Sequence, residues 1–394
     1  MRILNVISSV NPIHGGPAEG IRQYAQATRT MGHTQEVLTL DAPDDPWVRD
    51  FPTTTYALGP VCTRYAYTPR LVPWLKAHAA QFDAVVVHGL WQYHGFAVWR
   101  ALRGSEVPYF VFFHGMLDPW FKRQHPLKHL KKWLYWPWAD YRVARDAKAV
   151  LFTAQEEALL APKSFWLYRV NPAVIGYGLA LSRESSAGDG EAFFAAFPQT
   201  RGKRIVLFLS RIHPKKGCDL LIEAFSRVAR ADPTLQLVMA GPDSAGLRAP
   251  LERRAAALGM AQRITWTGML QGELKWAALQ AAEVFALLSH QENFGIAVAE
   301  ALAMGVPVLI SRQVNIWREI VEADAGFAAE DTVAGATTLL ERWLLLSPAQ
   351  RDAMRRAAAD CYQRHFHIAS AAERFVATLG AHLPPPVQGA VQAG

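Results

Sequence analysis

The strongest constraint in this sequence is an alternation that runs through it twice, in which short apolar, β-branched runs are separated by longer stretches of helical periodicity. Runs such as Ile3 to Ile7, Glu36 to Leu40, Ala84 to Val87, Tyr109 to Phe113 and Ala149 to Phe152 suit parallel strands buried on both faces. The stretches between them, Gly20 to Met31, Pro69 to Ala80, Phe96 to Leu102 and Leu127 to Arg145, suit crossover helices, with Pro137 bending or breaking the last. The polar stretch SRESSAGDG, Ser182 to Gly190, interrupts the pattern, which then restarts. Strands are expected at Ile205 to Leu209, Leu235 to Ala240, Ile264 to Thr267, Val284 to Leu288 and Val306 to Ile310. Helices are expected at Cys218 to Ala231, Leu247 to Leu258, Glu273 to Ala281, Ile296 to Met304, Thr332 to Leu346, Pro348 to His365 and Ala369 to Gly380.

The expected fold class is therefore α/β, two doubly wound Rossmann-like domains facing a deep interdomain cleft. The chain has 394 residues, enough for two such domains, and its 51% hydrophobic content excludes a disordered protein. The expected layout is 1–180 for the first domain, 181–200 for a boundary and 201–364 for the second domain. A helix over 365–383 is expected to return toward the first domain, and 384–394, which holds three consecutive prolines, to form a mobile tail. Met1 to Ile7 reads as a first strand rather than a leader, and no apolar run approaches the length of a membrane span. Cys62, Cys218 and Cys361 have no metal-ligand spacing and cannot all pair, which favours a reducing, cytoplasmic setting.

A net charge of +7 favours anionic partners such as nucleotides, phosphates or acidic lipid. Three loops at expected strand ends could receive them. After the first strand, Gly15 and Gly16 precede Pro17 and a helical pattern, a loop that allows close approach of a ligand to the backbone. After Ile205 to Leu209 comes Ser210-Arg211-Ile212-His213-Pro214-Lys215-Lys216-Gly217, in which Arg211 can hold phosphate in a fork and Lys216 can supply a mobile positive charge. After Val284 to Leu288 comes Glu292-Asn293-Phe294-Gly295-Ile296-Ala297-Val298-Ala299-Glu300. Glu292 at the helix entrance and Glu300 two turns inside could accept hydrogen bonds from different sugar hydroxyls of a long ligand. Read singly, each loop is more often an ordinary turn, solvated surface or helix-end charge; together they favour a ligand site.

The paired glutamates with this intervening pattern, and Arg211 with Lys216, resemble a retaining glycosyltransferase of family 4 with the GT-B fold. The likeness covers almost the whole chain. It implies that Arg211 and Lys216 stabilise the leaving diphosphate, that Glu292 orients the transferred sugar, and that Glu300 holds the nucleotide ribose. Asn293, Phe294 and Gly295 would offer backbone N–H groups to the sugar, and Gly15 and Gly16 would face the donor phosphates. His114, in Phe112-Phe113-His114-Gly115-Met116, matches an active-site histidine of the family. His88, at another strand end, is a further acceptor-side candidate. The resemblance implies a UDP- or GDP-linked hexose as donor substrate, no cofactor and no metal, and the sequence has no compact zinc-ligand signature around His213 or His290.

The implied reaction moves a hexosyl group to a glycan or polyprenyl-diphosphate-linked acceptor in surface polysaccharide synthesis. Residues 118–145 carry seven Lys or Arg against two Asp, interleaved with Trp120, Phe121, Trp133, Tyr135, Trp136, Trp138 and Tyr141. Lys122, Arg123, Lys128, Lys131 and Lys132 could meet an anionic membrane, giving a peripheral location on the inner face of the cytoplasmic membrane. The alternatives are a GT-B phosphorylase or nucleotide-sugar epimerase, and a noncatalytic membrane-associated glycan-assembly protein. No recognised nucleic-acid module is present.

Overall fold

The computed structural model describes residues 1–61, 63–181 and 190–383. Cys62, residues 182–189 of the 181–200 boundary and the 384–394 tail lie outside the described residues. The chain forms two compact units. The first takes Met1–Thr153, Glu157–Gly178 and the segment from Ala371; the second takes Ala154–Glu156 and Leu179–Ser370.

The first unit is built on a seven-stranded parallel sheet of order β3-β2-β1-β4-β5-β6-β7. Its strands are β1 Arg2–Ile7, β2 Thr34–Thr39, β3 Thr55–Ala57, β4 Ala84–His88, β5 Tyr109–Phe112, β6 Val150–Phe152 and β7 Pro172–Val174. The alternation of side chains along a strand sends Leu4 and Val6 to one face and Ile3, Asn5 and Ile7 to the other. Leu4, Val6, Val85, Val87, Val111 and Phe113 are fully buried in one apolar cluster. The opposite face carries Ile7 and Val37 packed with Ala18 and Ile21 of the helix Gly16–Thr30. From the C-terminal helix Ile368–Gly380, Phe375 meets Tyr24 at 5.1 Å and Arg374 Nε donates to Ile175 O.

The second unit holds a six-stranded parallel sheet of order β10-β9-β8-β11-β12-β13. Its strands are β8 Arg204–Leu209, β9 Leu235–Ala240, β10 Ile264–Gly268, β11 Val284–Leu287, β12 Val308–Ser311 and β13 Gly326–Ala329. Every residue of β9, β11 and β12 is buried, as expected of parallel strands covered on both faces. The helix Pro348–Cys361 begins with a capping box between Ser347 and Gln350, which satisfies two otherwise orphaned N–H groups. Among the described residues no helix is long and apolar enough to cross a membrane.

The segment Leu127 to Arg145 is broken at Pro137, as expected, into two helices, Pro126–Tyr135 and Asp140–Asp146, because proline cannot continue the hydrogen-bond ladder. Its face is also split. Trp136 is buried, and Lys132 turns inward with Nζ 4.4 Å from the centre of the Trp91 ring, so Lys132 is not available to a lipid surface. Burial lowers its pKa.

Asp140 lies under the same layer and is 1% exposed, accepting the Trp91 N–H at 2.9 Å. Burial raises its pKa to about 7, against the opposing effects of the Trp91 N–H and Lys132. The folded chain thus binds a proton between about pH 4 and 7 that the unfolded chain does not. Stability is expected to fall as pH rises through this window, on the order of 4 kcal/mol from this residue. Denaturation of wild type and Asp140→Asn across pH 4 to 8 checks this: a parallel pH dependence in both would refute it.

Candidate functional site

In each sheet the strand order reverses once, between β1 and β4 in the first and between β8 and β11 in the second. The carboxyl ends of such strands frame a crevice where α/β sheets bind ligands. All three loops singled out in the sequence leave these four strands.

In the second unit, β8 runs into Ser210 and Arg211, and a short turn over Pro214–Lys216 follows. His213 caps this turn, its Nδ1 accepting the Lys215 N–H at 3.1 Å. Gly217 has a φ of +61°, and a Cβ there would fall 2.1 Å from Leu288 O. Only glycine lets the Lys216 turn lie against the end of β11. A Gly217→Ala variant is expected to displace this turn and to destabilise the chain by about 2 kcal/mol, read as a lower urea midpoint.

The loop after β11 is fixed from both sides. His290 N–H donates to Lys215 O at 2.7 Å, which ties it to the basic loop. Glu292 N–H donates to Gln313 O at 2.9 Å and Asn315 N–H to Glu292 O at 3.0 Å, which tie it to the chain beyond β12. These restraints bring the Lys216 ammonium into a hydrogen-bonded ion pair with the Glu292 carboxylate, both side chains mostly buried. Lys216 and Glu292, 76 positions apart, therefore share one site. Arg211 is exposed on the same loop as Lys216 and has no ion pair among the described residues.

The following helix, Ile296–Ala303, starts after Gly295 with φ +79°. Glu300 thus sits about one turn inside rather than two. Its carboxylate accepts from Lys275 Nζ at 2.8 Å. Lys275 carried no signal in the sequence, since it lies on an ordinary helix, Gly272–Ala281, and meets Glu300 only through the fold. His290 Nδ1 and Asp331 Oδ2, 2.7 Å apart, and Asn315 Nδ2, which donates to Asn293 Oδ1 at 3.2 Å, were equally invisible. The Phe294 side chain is buried edge-on against Phe366 at 5.6 Å, which leaves its backbone as the part it could offer a ligand.

In the first unit a cavity of about 540 Å³ opens at the β1/β4 switch, lined by Ser8, Ser9, Gly15, Asp41, Arg64 and His88 among others. Gly15 has φ +84° and the helix begins at Gly16, whose carbonyl accepts from Tyr177 Oη at 2.8 Å. Asp41 holds the loop by accepting from Ser9 Oγ at 2.6 Å and from Val10 N–H at 2.7 Å. Beyond β5, His114 adopts φ +51° and Gly115 φ +73°. A non-glycine residue in the left-handed region is strained by about 1 kcal/mol or more. The Glu157 carboxylate holds the turn, accepting Gly115 N–H at 2.6 Å and both Thr153 N–H and Thr153 Oγ.

His88 and His114 are brought together, His88 Nδ1 lying 3.0 Å from His114 Nε2. His88 Nε2 lies 3.0 Å from Asn5 Oδ1, so both ring nitrogens of His88 are engaged within the protein. Neither is left for an acceptor. Burial lowers the His114 pKa to about 4, and burial with the neighbouring His114 and His94 holds His88 well below the ordinary imidazole value. Both rings are neutral near pH 7.

Residues 15–178 match the family model described as glycosyl transferase 4-like domain, and residues 189–360 match that described as glycosyl transferases group 1. A D-inositol 3-phosphate glycosyltransferase of Geodermatophilus obscurus is 34% identical over 172 residues, 41% of this chain and 38% of that protein. One from Mycobacterium sp. strain KMS is 26% identical over 305 residues, 76% of this chain and 60% of its own length. The chain thus spans less than two thirds of the curated relatives it matches. Among solved structures, sucrose-phosphate synthase from Thermosynechococcus elongatus superposes with a TM-score of 0.74 at 19% identity, covering 97% of this chain and 98% of that one. Anabaena HepE in complex with UDP and glucose gives 0.71 at 16% identity, covering 97% and 100%. With both halves matched and the fold shared, the chain belongs to the group 1, family 4-like glycosyltransferases of GT-B fold.

Proposed function

We propose that this glycosyltransferase moves a hexosyl group, with retention of anomeric configuration and without a metal, from a UDP- or GDP-sugar to a glycan or polyprenyl-diphosphate-linked acceptor in surface polysaccharide synthesis. The observation that carries this reading is the joining of Lys216 and Glu292 at the carboxyl ends of the two strands that flank the second switch point. An ammonium has three donors, and Glu292 engages one, so two remain for phosphate oxygens. Arg211 adds a planar fork to the same diphosphate. Negative charge grows on the leaving diphosphate as the bond to the sugar breaks, so these cations lower the barrier without a metal.

The sugar carbon becomes positively charged at the same stage. Glu292 stabilises it as a fixed anion while the acceptor oxygen enters from the face the diphosphate leaves, its proton passing to a phosphate oxygen. Glu300 and Lys275 together suit the ribose, and the backbone of Asn293 to Gly295 suits the sugar hydroxyls. The first unit's 540 Å³ cavity is of a size to hold an acceptor sugar. UDP-glucose is the first donor to test, since HepE has been solved with it.

A mass-spectrometric screen of the purified chain against nucleotide sugars and lipid-linked acceptors, with anomer analysis of the product, tests the reading. Transfer with retention is expected. An inverted product, or reaction confined to phosphorolysis or epimerisation, would overturn it.

A peripheral membrane location is part of the same proposal. Lys122, Lys128 and Lys131 are exposed, as are Leu127, Leu130, Leu134, Trp138 and Trp166. Anionic lipid attracts each surface lysine by about 1 kcal/mol. Replacing Lys122, Lys128 and Lys131 by glutamine is expected to weaken binding to phosphatidylglycerol vesicles on the order of 100-fold while transfer to a soluble acceptor is retained. Equal vesicle sedimentation of the variant and wild type would rule this surface out.

A further inference from the structure

An unbroken series of polar side chains crosses one otherwise apolar face of the first sheet. The strand register places Gln35 of β2, Asn5 of β1 and His88 of β4 on the same face, and His114 follows two residues after Phe112 of β5. Asn5, Thr28, Gln35 and His88 are 1%, 0%, 5% and 7% exposed. Four buried polar groups in a sheet core are costly unless each is fully bonded, and apolar residues would fill the space more cheaply. The series needs a reason beyond stability.

Its direction is set at one end. Thr28 Oγ donates to Tyr24 O at 2.8 Å, a carbonyl that can only accept. Thr28 Oγ is therefore free to accept from Gln35 Nε2 at 3.0 Å, which turns Gln35 Oε1 toward Asn5 Nδ2 at 2.9 Å. Asn5 Nδ2 also points at Glu36 O, 3.4 Å away, so reversing the amide would face oxygen with oxygen. Asn5 Oδ1 is then an acceptor, and His88 must carry its proton on Nε2. That leaves His88 Nδ1 with a lone pair, which accepts from His114 Nε2–H. The two ring planes lie within 20° of parallel, with ring centres 5.3 Å apart. The last member, His114, is left with a lone pair on Nδ1.

We infer that Thr28, Gln35, Asn5 and His88 are positioning residues, a relay that fixes His114 in the Nε2–H tautomer and so presents its Nδ1 as a hydrogen-bond acceptor. This inference rests on the reading above in one respect, that the group donating to Nδ1 is a sugar hydroxyl. In the opposite tautomer His114 would present an N–H, and the hydroxyl would have to turn a lone pair toward it and point its own proton elsewhere. The ionisable groups facing His114 and His88 are each other and His94, whose Nε2 donates to His88 O at 2.8 Å. Burial keeps these three imidazoles neutral, so tautomer rather than charge decides what His114 offers.

Long-range proton–nitrogen correlation spectra of the full chain labelled with ¹⁵N-histidine read the tautomer directly, with the His114 signals assigned by their loss in His114→Gln. At pH 7 the wild type is expected to show a pyridine-type Nδ1 and a pyrrole-type Nε2 at His114. Asn5→Asp keeps an acceptor toward His88, with the Gln35 amide turned over so that its Nε2 donates to the new carboxylate, and should keep this pattern. Asn5→Leu removes the acceptor and should average the two nitrogens of both histidines. With UDP-glucose as probe, kcat should fall about 10- to 100-fold in Asn5→Leu, with KM within about threefold, and recover in Asn5→Asp. A proton on His114 Nδ1 in the wild type overturns the relay. So does an unchanged tautomer in Asn5→Leu, or in Gln35→Met should Asn5→Leu not fold, and so does an altered tautomer with wild-type kcat. Absence of UDP-glucose turnover in the wild type would count against the donor proposed above, and the spectra alone would then support or overturn the relay.

Discussion

Lys216→Ala is expected to lower kcat/KM with a nucleotide-sugar donor by about 10²- to 10³-fold. The ammonium lies against the Glu292 carboxylate, and its side chain is only 14% exposed, so little water can substitute for the lost charge. Two deficits arise at once. In the mechanism proposed above, the leaving diphosphate would lose a cation, and Glu292 would lose the partner that fixes its orientation toward the sugar. Glu292→Gln, which keeps the shape and removes the charge, should cost about 10²-fold. Because the two side chains act as one unit, the double variant should lose far less than the product of the single losses. Steady-state kinetics on all four proteins, with thermal unfolding as a control, measures the coupling. Independent, multiplicative losses would mean that the two side chains do not act as one unit, and near-normal kcat/KM in both single variants would mean that catalysis lies elsewhere.

Glu157→Ala should destabilise the chain by about 3 kcal/mol. The Glu157 side chain is buried and accepts three hydrogen bonds, from Gly115 N–H, Thr153 N–H and Thr153 Oγ. Truncation strands all three donors away from water. The turn they hold carries positive φ at both His114 and Gly115, a strained arrangement that persists only while its surroundings enforce it. A lower urea midpoint with an unchanged slope is the expected signature. Glu157→Gln keeps one acceptor and should lose less. Equal midpoints for wild type and Glu157→Ala would show that the turn holds itself.

The central strands were readable because a strand buried on both faces is largely apolar, as in Leu235–Ala240, where Gln236 is the one polar residue and expectation and structure coincide. The edges were not. β3 is only Thr55–Ala57 and β7 only Pro172–Val174, too short for any periodicity, and both exist through pairing with a neighbour already in place. The Arg211–Lys216 and Glu292 loops were legible because strand ends in an open α/β sheet are where ligands bind. What could not be read was which groups meet across long sequence separations. Lys275 reaches Glu300 from another helix, and Asn5 looks like a flaw in an apolar run until β2 and β4 are laid beside it. Lys132 misled for a related reason, since its inward turn depends on Trp91, 41 positions earlier.

The first unit both opens and closes the chain, and the second is spliced into it between Gly178 and Ala371. The two crossings run side by side: Leu179 N–H donates to Phe366 O at 2.8 Å, and Ile368 N–H donates back to Leu179 O at 3.3 Å. Entry and exit are therefore neighbours, as in a cassette clipped into a host. Exchange of that cassette between relatives should carry nucleotide-sugar preference with it and leave the recipient's acceptor preference in place, a modular route by which one scaffold could diversify its products.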